Sequence, residues 1–530
     1  MLPNGEAVSR YGFIHDLYQK VLYERVSESR RMQLHRRIGD EGENVYGERA
    51  REIAAELAMH FERGSNYPNA IKYLREAADN DIRRFAYKEA VALSRRGLHL
   101  LERLPDTPER AEQELGLLLT LGLPLVATEG YAAPDVGSLY LKAWELCQQL
   151  GETPAISDAL WGLRTFYTVR AELETARKIA DEFLHLAKRL PYPGLELRGH
   201  WAIGITSLHM GQFAEAMSHF DKALVLYEPE RQLNDAVPYA QNPGVAVRCF
   251  SAWGLWFLGQ PKRALNRITE AIALGRALSE PHGLVPALVF AAILHQLCRN
   301  PRVAQEYAEE AIFVSSEHGL VLYQSIARIT HAWSLLDQEP TDGAIDQMRQ
   351  GLAAYHATGA EILRPHFLAV LGHALGRKGQ FKEGLHLVEE ALEGAHRTGE
   401  KSCESELYRL KGEILLMQTK AEGLSPIGSA AHLPSDKSFL VAQAESCFEQ
   451  AIRIAQRQSS RSWEQRGVIS LAQLYEDHGN KGKSRAMLSQ ICSEWTERSD
   501  TESQEAQPRF DEVSGLGLEK HQFRTEVKGA

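Results

Sequence analysis

A small-residue signature recurs along this chain every 40 residues, and it restricts the fold more than any other feature. Ala176, Ala216, Ala264, Ala304, Ala344, Gly384, Ala444 and Ser484 mark it, and five of the seven steps between them are 40 residues. Seven residues after the marks stand Ala223, Ala271, Ala311, Gly351, Ala391 and Ala451; twelve before stand Gly204, Ala252, Ala292, Ala332, Gly372 and Ala472. Five before, a turn glycine recurs at Gly211, Gly259, Gly379 and Gly479. A unit of this length cannot bury an apolar face by itself, so neighbours must stack, and the sequence predicts a solenoid. Solenoids are binding scaffolds more often than catalysts.

The segments between marks read as helices. In Arg263–Leu278 the residues Ala264, Leu265, Ile268, Ala271, Ile272 and Leu278 follow the i, i+3, i+4, i+7 spacing of one buried helix face. Val247–Gly259 forms the preceding helix, with Phe250, Trp253, Leu255 and Phe257 along it, and Gly259 suits a left-handed helix end. The unit is helix, tight turn, helix, with small residues where two backbones meet. The predicted class is all-α, an α-solenoid of helix pairs. Two steps break the period. The 48-residue step carries a Pro- and Asn-rich loop at 228–244, and the 60-residue step carries a Gly-, Ser- and Pro-rich insertion at 420–438. The 499–530 tail is polar without apolar periodicity and is expected to be disordered.

With 530 residues the chain exceeds one compact core, so it is either several domains or one extended array. Its net charge of −10 and pI near 6.1 argue against a general nucleic-acid surface. No apolar run reaches the roughly 20 residues of a membrane helix, and no secretory leader is legible, so no membrane partner is expected. The six cysteines include no CxxC pair, which argues against a disulfide framework or zinc site and favours a cytoplasmic setting.

The small-residue grammar resembles that of tetratricopeptide repeats, with a period longer than their usual ~34 residues. Longer phrases are more specific: 128–151 (TEGYAAPDVGSLYLKAWELCQQLG), 159–177 (ALWGLRTFYTVRAELETAR), 240–265, 356–380 and SELYRLKGEILL at 405–416. Together they resemble the C-terminal repeat region of bacterial signalling ATPases of the STAND type, over roughly residues 10–495. Residues 10–40, through Phe13, His15, Tyr23, Arg31 and His35, resemble the helices that pass from a winged-helix-like module into the repeats. The resemblance implies a division into a helical segment 1–47, a repeat array 48–498 and the tail 499–530. It lacks the ATPase core itself.

The chemistry-bearing motifs are weak. Gly479–Ser484 (GNKGKS) mimics a phosphate loop, but a Walker A motif would need glycine at Asp477 and a preceding strand, so it reads as a basic repeat turn. GLGLEK at 515–520 lacks the third glycine of a dinucleotide fingerprint. His295, on an apolar helix, reads as a packed residue. His15 and His35 are placed to face each other, with helix packing or surface positions as the plainer reading. The run RRMQLHRR at 30–37 reads as a solvated or interdomain face. No catalytic, cofactor or metal residues are predicted, and no cofactor. Trp253, Trp256 and Trp333 lie on first helices of their repeats and form a candidate partner-binding groove; the competing reading places them in the core.

The functional expectation is a non-catalytic repeat scaffold, not an enzyme, that takes a protein or peptide partner or a small inducer. Through the resemblance, it is the sensor arm of a signalling ATPase whose ATPase module sits in cis or in trans. The alternatives are a stand-alone adaptor, and a fragment of an ATP-binding adenylate cyclase or transcriptional regulator whose catalytic domains lie outside the chain.

Overall fold

The structure, a computed structural model, describes residues 16–151, 153–190, 194–228, 242–278, 281–421 and 435–499. Among the described residues the elements are α-helices, joined by one 3₁₀ segment at Gly47–Ile53, with no strand. From residue 155 onward the helices alternate as pairs. Ala155–Val169 with Leu173–Arg189 and Leu195–His209 with Phe213–Val225 come first. Pro243–Phe257 with Pro261–Leu278, Pro281–Leu297 with Pro301–His318 and Val321–Gln338 with Asp342–Ala357 follow. Arg364–Arg377 with Phe381–Thr398, Glu404–Ala421 with Ser435–Arg457 and Arg461–Asp477 with Lys481–Ser499 complete the series. The chain is an all-α solenoid of tetratricopeptide-like helix pairs.

The repeated small residues lie where the pairs touch. Ala176, Ala216, Ala264, Ala304 and Ala444 are fully buried, as are Ala252, Ala292 and Ala332 on the facing helices. The closest approach is at Gly372 and Gly384: a Cβ on Gly384 would stand 2.5 Å from the Gly372 carbonyl oxygen. No side chain fits there, because the obstruction is backbone. The turns between paired helices share one design. Gly211, Gly259, Gly379 and Gly479 have φ between 76° and 81°, and the following residue bonds back five positions, as Gln212 N–H does to the Ser207 carbonyl and Gln260 N–H to Leu255. The same turn position holds Ser65, Phe85, Ala171 and Arg299 in other repeats, with φ of 55–59°. Such non-glycine residues carry backbone strain of about 1 kcal/mol.

Several expected boundaries shift. The helix expected from Val247 starts at Pro243, because Asn242 Oδ1 accepts from the Gly244 and Val245 amides at 2.9 and 3.3 Å and caps it earlier. Residues 243 and 244 of the expected 228–244 loop are therefore helical, and 229–241 lie outside the described residues. Helical structure likewise reaches Ala421 and resumes at Ser435, trimming the expected 420–438 insertion at both ends; 422–434 lie outside the described residues, as do 500–530 of the expected tail. At the N-terminus, Glu28–Tyr46 packs directly on the first repeat helix: a Cβ on Gly39 would lie 2.9 Å from the Phe61 ring. His15 lies outside the described residues; His35 instead pairs with Tyr23 Oη at 2.8 Å and His60 Nδ1 at 2.9 Å. Arg30, Arg36 and Arg37 are exposed.

The array curves until it meets itself. The Val169 carbonyl accepts from the backbone amides of Glu361 and Ile362 at 2.9 and 3.0 Å. One repeat later, the His209 carbonyl accepts from Lys401 and Ser402 at 2.8 and 3.1 Å. One repeat later again, the Phe257 carbonyl accepts from Ser460 Oγ at 3.1 Å. Each contact joins a helix end to the turn region about five repeats further on. The two irregular steps of the sequence fall between the second and third contacts, one on each strand of the seam, so the register survives them. A linear solenoid couples only neighbouring repeats; this seam couples distant ones and closes the inner face.

Candidate functional site: a charged crevice inside the closed array

Where the seam ends, the inner helices of five repeats enclose a crevice. Gln296, Arg299, Trp333, Asp337, His366, Val370, His373, Arg377, Glu406, Leu410 and Arg466 contribute to its walls. Its floor is a charge network. Glu406 is 3% exposed and takes a two-pronged bond from Arg409, Nε to Oε2 at 2.6 Å and Nη2 to Oε1 at 2.8 Å. Arg466 Nη1 donates to the same Oε1 at 2.9 Å, and Arg299 Nη2 stands 3.8 Å from it. Arg409 also bonds Glu413, whose second oxygen meets His373 Nε2 at 2.9 Å. Three guanidiniums thus surround one buried carboxylate. Burial disfavours the charged form of Glu406, but Arg409, Arg466 and Arg299 outweigh it and hold its carboxyl at about 2. Burial alone would lower Arg466, and it does, to about 10, against the pull of Glu406. Both groups remain charged at neutral pH.

Local sequence positions each member. Glu406, Arg409 and Glu413 lie at i, i+3 and i+7 on Glu404–Ala421 and share one face. Arg299 occupies the left-handed turn position that glycine holds in other repeats, and this aims its side chain inward to Asp337, 3.3 Å away, and Glu406. Arg466 crosses the seam: Nη2 donates to the Leu297 carbonyl, while the guanidinium lies 5.2 and 5.0 Å from the ring centres of Trp256 and Trp463.

Two crevice residues are left over. Gln296 is 4% exposed and His366 is 5% exposed, yet neither the amide group of Gln296 nor either ring nitrogen of His366 has a hydrogen-bond partner among the described residues. Buried polar groups are satisfied in the great majority of cases, and an unsatisfied one costs roughly 1–3 kcal/mol. Burial drives the His366 imidazole down to about 4, so it is neutral at pH 7. It then offers one donor and one acceptor, and the Gln296 amide offers both as well. A peptide group presents the complementary N–H and C=O.

The three predicted tryptophans are all buried, at 3, 4 and 4% exposure for Trp253, Trp256 and Trp333. None of the three rings is exposed along an open groove in the closed array. Trp253 belongs to the core, stacked on Phe290 at 4.2 Å with Nε1 donating to the Phe290 carbonyl at 3.2 Å. Trp256 packs edge-on against Trp463 at 4.7 Å and beneath Arg466. Trp333 lines the crevice. Gln296, Arg299, His366, Glu406, Arg409 and Arg466 were not picked out by sequence reasoning. The signals were present: Gln296 ends the most apolar helix, Arg299 stands where a turn glycine belongs, and Glu406, Arg409 and Glu413 sit at helical spacing. His295 stacks on Tyr307 with ring centres 5.6 Å apart. Gly479 is an ordinary repeat turn that follows the helix Arg461–Asp477, and Lys483 bonds the Tyr475 hydroxyl at 2.5 Å.

No family model matches the chain. Its sequence is 22% identical over 408 residues to an uncharacterized protein of Rhizobium meliloti (strain 1021), and the match takes in 76% of this chain. The chain spans 39% of the length of that curated relative. Among solved structures, a Rap protein complexed with Competence and Sporulation Factor superposes with a TM-score of 0.51 at 12% identity, covering 73% of this chain and 99% of the other. At this identity the likeness shows the fold. A STAND protein with a tetratricopeptide repeat sensor from Pyrococcus horikoshii also matches, at 12% identity over 88% of this chain and 74% of the other, but its TM-score of 0.34 carries no argument. The class of protein that fold and neighbours define is a tetratricopeptide-like helical repeat protein. Among the described residues no helix is long and apolar enough to cross a membrane.

Proposed function

We propose that the chain is a non-catalytic sensing arm that takes a peptide, or an extended segment of a partner protein, into the crevice at the end of the seam, whose volume of about 30 Å³ must widen by opening of the seam to admit it. The observation that carries this is the pair Gln296 and His366: buried, neutral and unpartnered, beside a carboxylate network that is already satisfied. A site whose charges are settled internally and whose spare hydrogen-bonding capacity is neutral suits a peptide group better than an ion. Trp333, Val370 and Leu410 supply apolar contact beside it. The Rap protein of the same fold holds the Competence and Sporulation Factor, which supports the reading by analogy. The sequence resemblance suggests an ATPase module as the attached or interacting partner. Binding would signal by favouring an open or a closed seam, which requires different affinity for the two states.

The test is a selection of 12-residue peptides from a displayed library on the purified chain. Recovered peptides are expected to bind Gln296→Leu and His366→Leu at least tenfold more weakly. Peptides that bind both variants as well as the unmodified chain would contradict the site.

A further inference from the structure

Away from that crevice, the helices Ala155–Val169 and Leu195–His209 bury a cation that no carboxylate among the described residues neutralises. Arg164 is 2% exposed. Its Nη2 donates to Thr165 Oγ1 at 2.9 Å, whereas Nε is buried without a partner among the described residues. Among the described residues no carboxylate pairs with it. The contrast with Arg198, on the next inner helix, is direct: Arg198 is as deeply buried but meets Asp158 Oδ1 at 2.8 Å. Arg409 and Arg466 likewise have Glu406. Arg164 has the face of Trp161, 4.1 Å from its guanidinium carbon, which offsets only part of the lost hydration.

Other donors gather around the same stack. Trp161 lies against Trp201, ring centres 4.0 Å apart, and Trp201 is fully buried with Nε1 unpartnered. His209 feels the charge of Arg164; its Nδ1 makes no hydrogen bond and stands 3.9 Å from Glu400 Oε1, a carboxyl that burial pushes up to about 8 and so keeps largely protonated at neutral pH. An arginine, an indole N–H and an imidazole, each with a nitrogen lacking a hydrogen-bond partner among the described residues, thus lie on two neighbouring inner helices. Donors without acceptors in a low-dielectric site are the signature of a missing anion.

We propose that Arg164, with Trp201 and His209, forms an internal receptor for a carboxylate. The charge count selects the class. One guanidinium balances one negative charge, and burial keeps His209 neutral near pH 7, lowering it to about 4. A carboxylate carries one charge and matches the guanidinium fork, whereas a phosphate near −2 would leave a buried excess. The site is separate from the Gln296–His366 crevice, and its occupancy is measured without any peptide.

The experiment follows the unfolding midpoint and tryptophan fluorescence of the full chain during titration with sodium acetate and sodium butyrate, both monocarboxylates. Sodium chloride and inorganic phosphate at matched ionic strength serve as controls. Expected are a saturable rise in midpoint and a fluorescence change with carboxylates only, both abolished in Arg164→Met. With no anion added, Arg164→Met should melt higher than the unmodified chain, because it removes an unneutralised buried charge. Arg164→Lys keeps the charge but loses the fork, and should weaken carboxylate binding at least tenfold. If Arg164→Met fails to fold, the titrations of the unmodified chain and Arg164→Lys decide. No saturable carboxylate effect, an equal effect of chloride or phosphate, or an undiminished effect in Arg164→Lys would overturn the proposal.

Discussion

Replacing Arg466 by Met should loosen the C-terminal end of the seam while leaving the first repeats intact. The side chain makes a charge-assisted bond to Glu406 at 2.9 Å, a second bond to the Leu297 carbonyl, and lies over Trp256 and Trp463. Removing one member of a buried ion pair costs about 3–5 kcal/mol when the other is left alone. Glu406 is not left alone, since Arg409 holds both its oxygens. The loss should therefore approach the worth of one charged hydrogen bond plus the aromatic contact, about 2–3 kcal/mol. Met keeps the aliphatic volume, so a cavity contributes little. If the loss falls on local opening, exchange should accelerate about 30- to 100-fold, since each 1.4 kcal/mol is tenfold. Hydrogen exchange read by mass spectrometry should show this in peptides covering Trp256–Gln260, Lys401–Cys403 and Gln458–Trp463. The helix Tyr67–Arg83, remote from the seam end, should be unchanged. Unaltered exchange at the seam, or equal acceleration throughout, would refute the reasoning that Arg466 ties distant repeats together.

Gly384→Ala forces a Cβ against the Gly372 carbonyl oxygen, 2.5 Å away, and should lower stability by about 1–3 kcal/mol in urea titration. Gly343→Ala, where nothing lies within 4 Å and the helix has begun, should instead gain about 0.5–1 kcal/mol. Glu400 has its carboxyl pushed up to about 8 by burial, so the folded chain holds a proton that the unfolded chain releases near 4.5. Its contribution to stability is therefore lost as pH rises from 4.5 through 8, and Glu400→Gln should remove that slope and melt higher than the unmodified chain at pH 8. His209, His282 and His366 are held down to about 4 by burial. Unfolded histidines bind protons from 6.5 downward, so stability should fall steadily from pH 6.5 to 4, with His282→Phe shallowing the fall in midpoint-versus-pH scans.

The architecture was legible because stacking imposes it locally. Ala264, Ala304 and Gly384 are small for one reason repeated, the close approach of paired helices, and repetition makes the reason visible. The closure was not legible. It depends on how small rotations between repeats accumulate until His209 meets Lys401, and no residue pattern records that sum. For the same reason the tryptophans were open to two readings: Trp253 and Trp333 hold equivalent repeat positions, and only the seam decides that both are covered and that Trp333 alone lines the crevice. Glu406 and Arg466 lie 60 residues apart in the chain, and nothing in either segment names the other. Arg299 was within reach, since a turn glycine replaced by a long cationic residue at positive φ needs a compensating contact.

On the proposed function, the inner crevice, and not an outer helix face, receives the ligand. The most direct measurement is photo-crosslinking of a selected peptide carrying benzophenone, with adducts located by mass spectrometry. Adducts are expected on Trp333, Val370 and Leu410, and should be lost when Gln296 and His366 are both replaced by Leu. Adducts confined to the outward second helices, such as Pro301–His318 around the exposed Phe313, would contradict it.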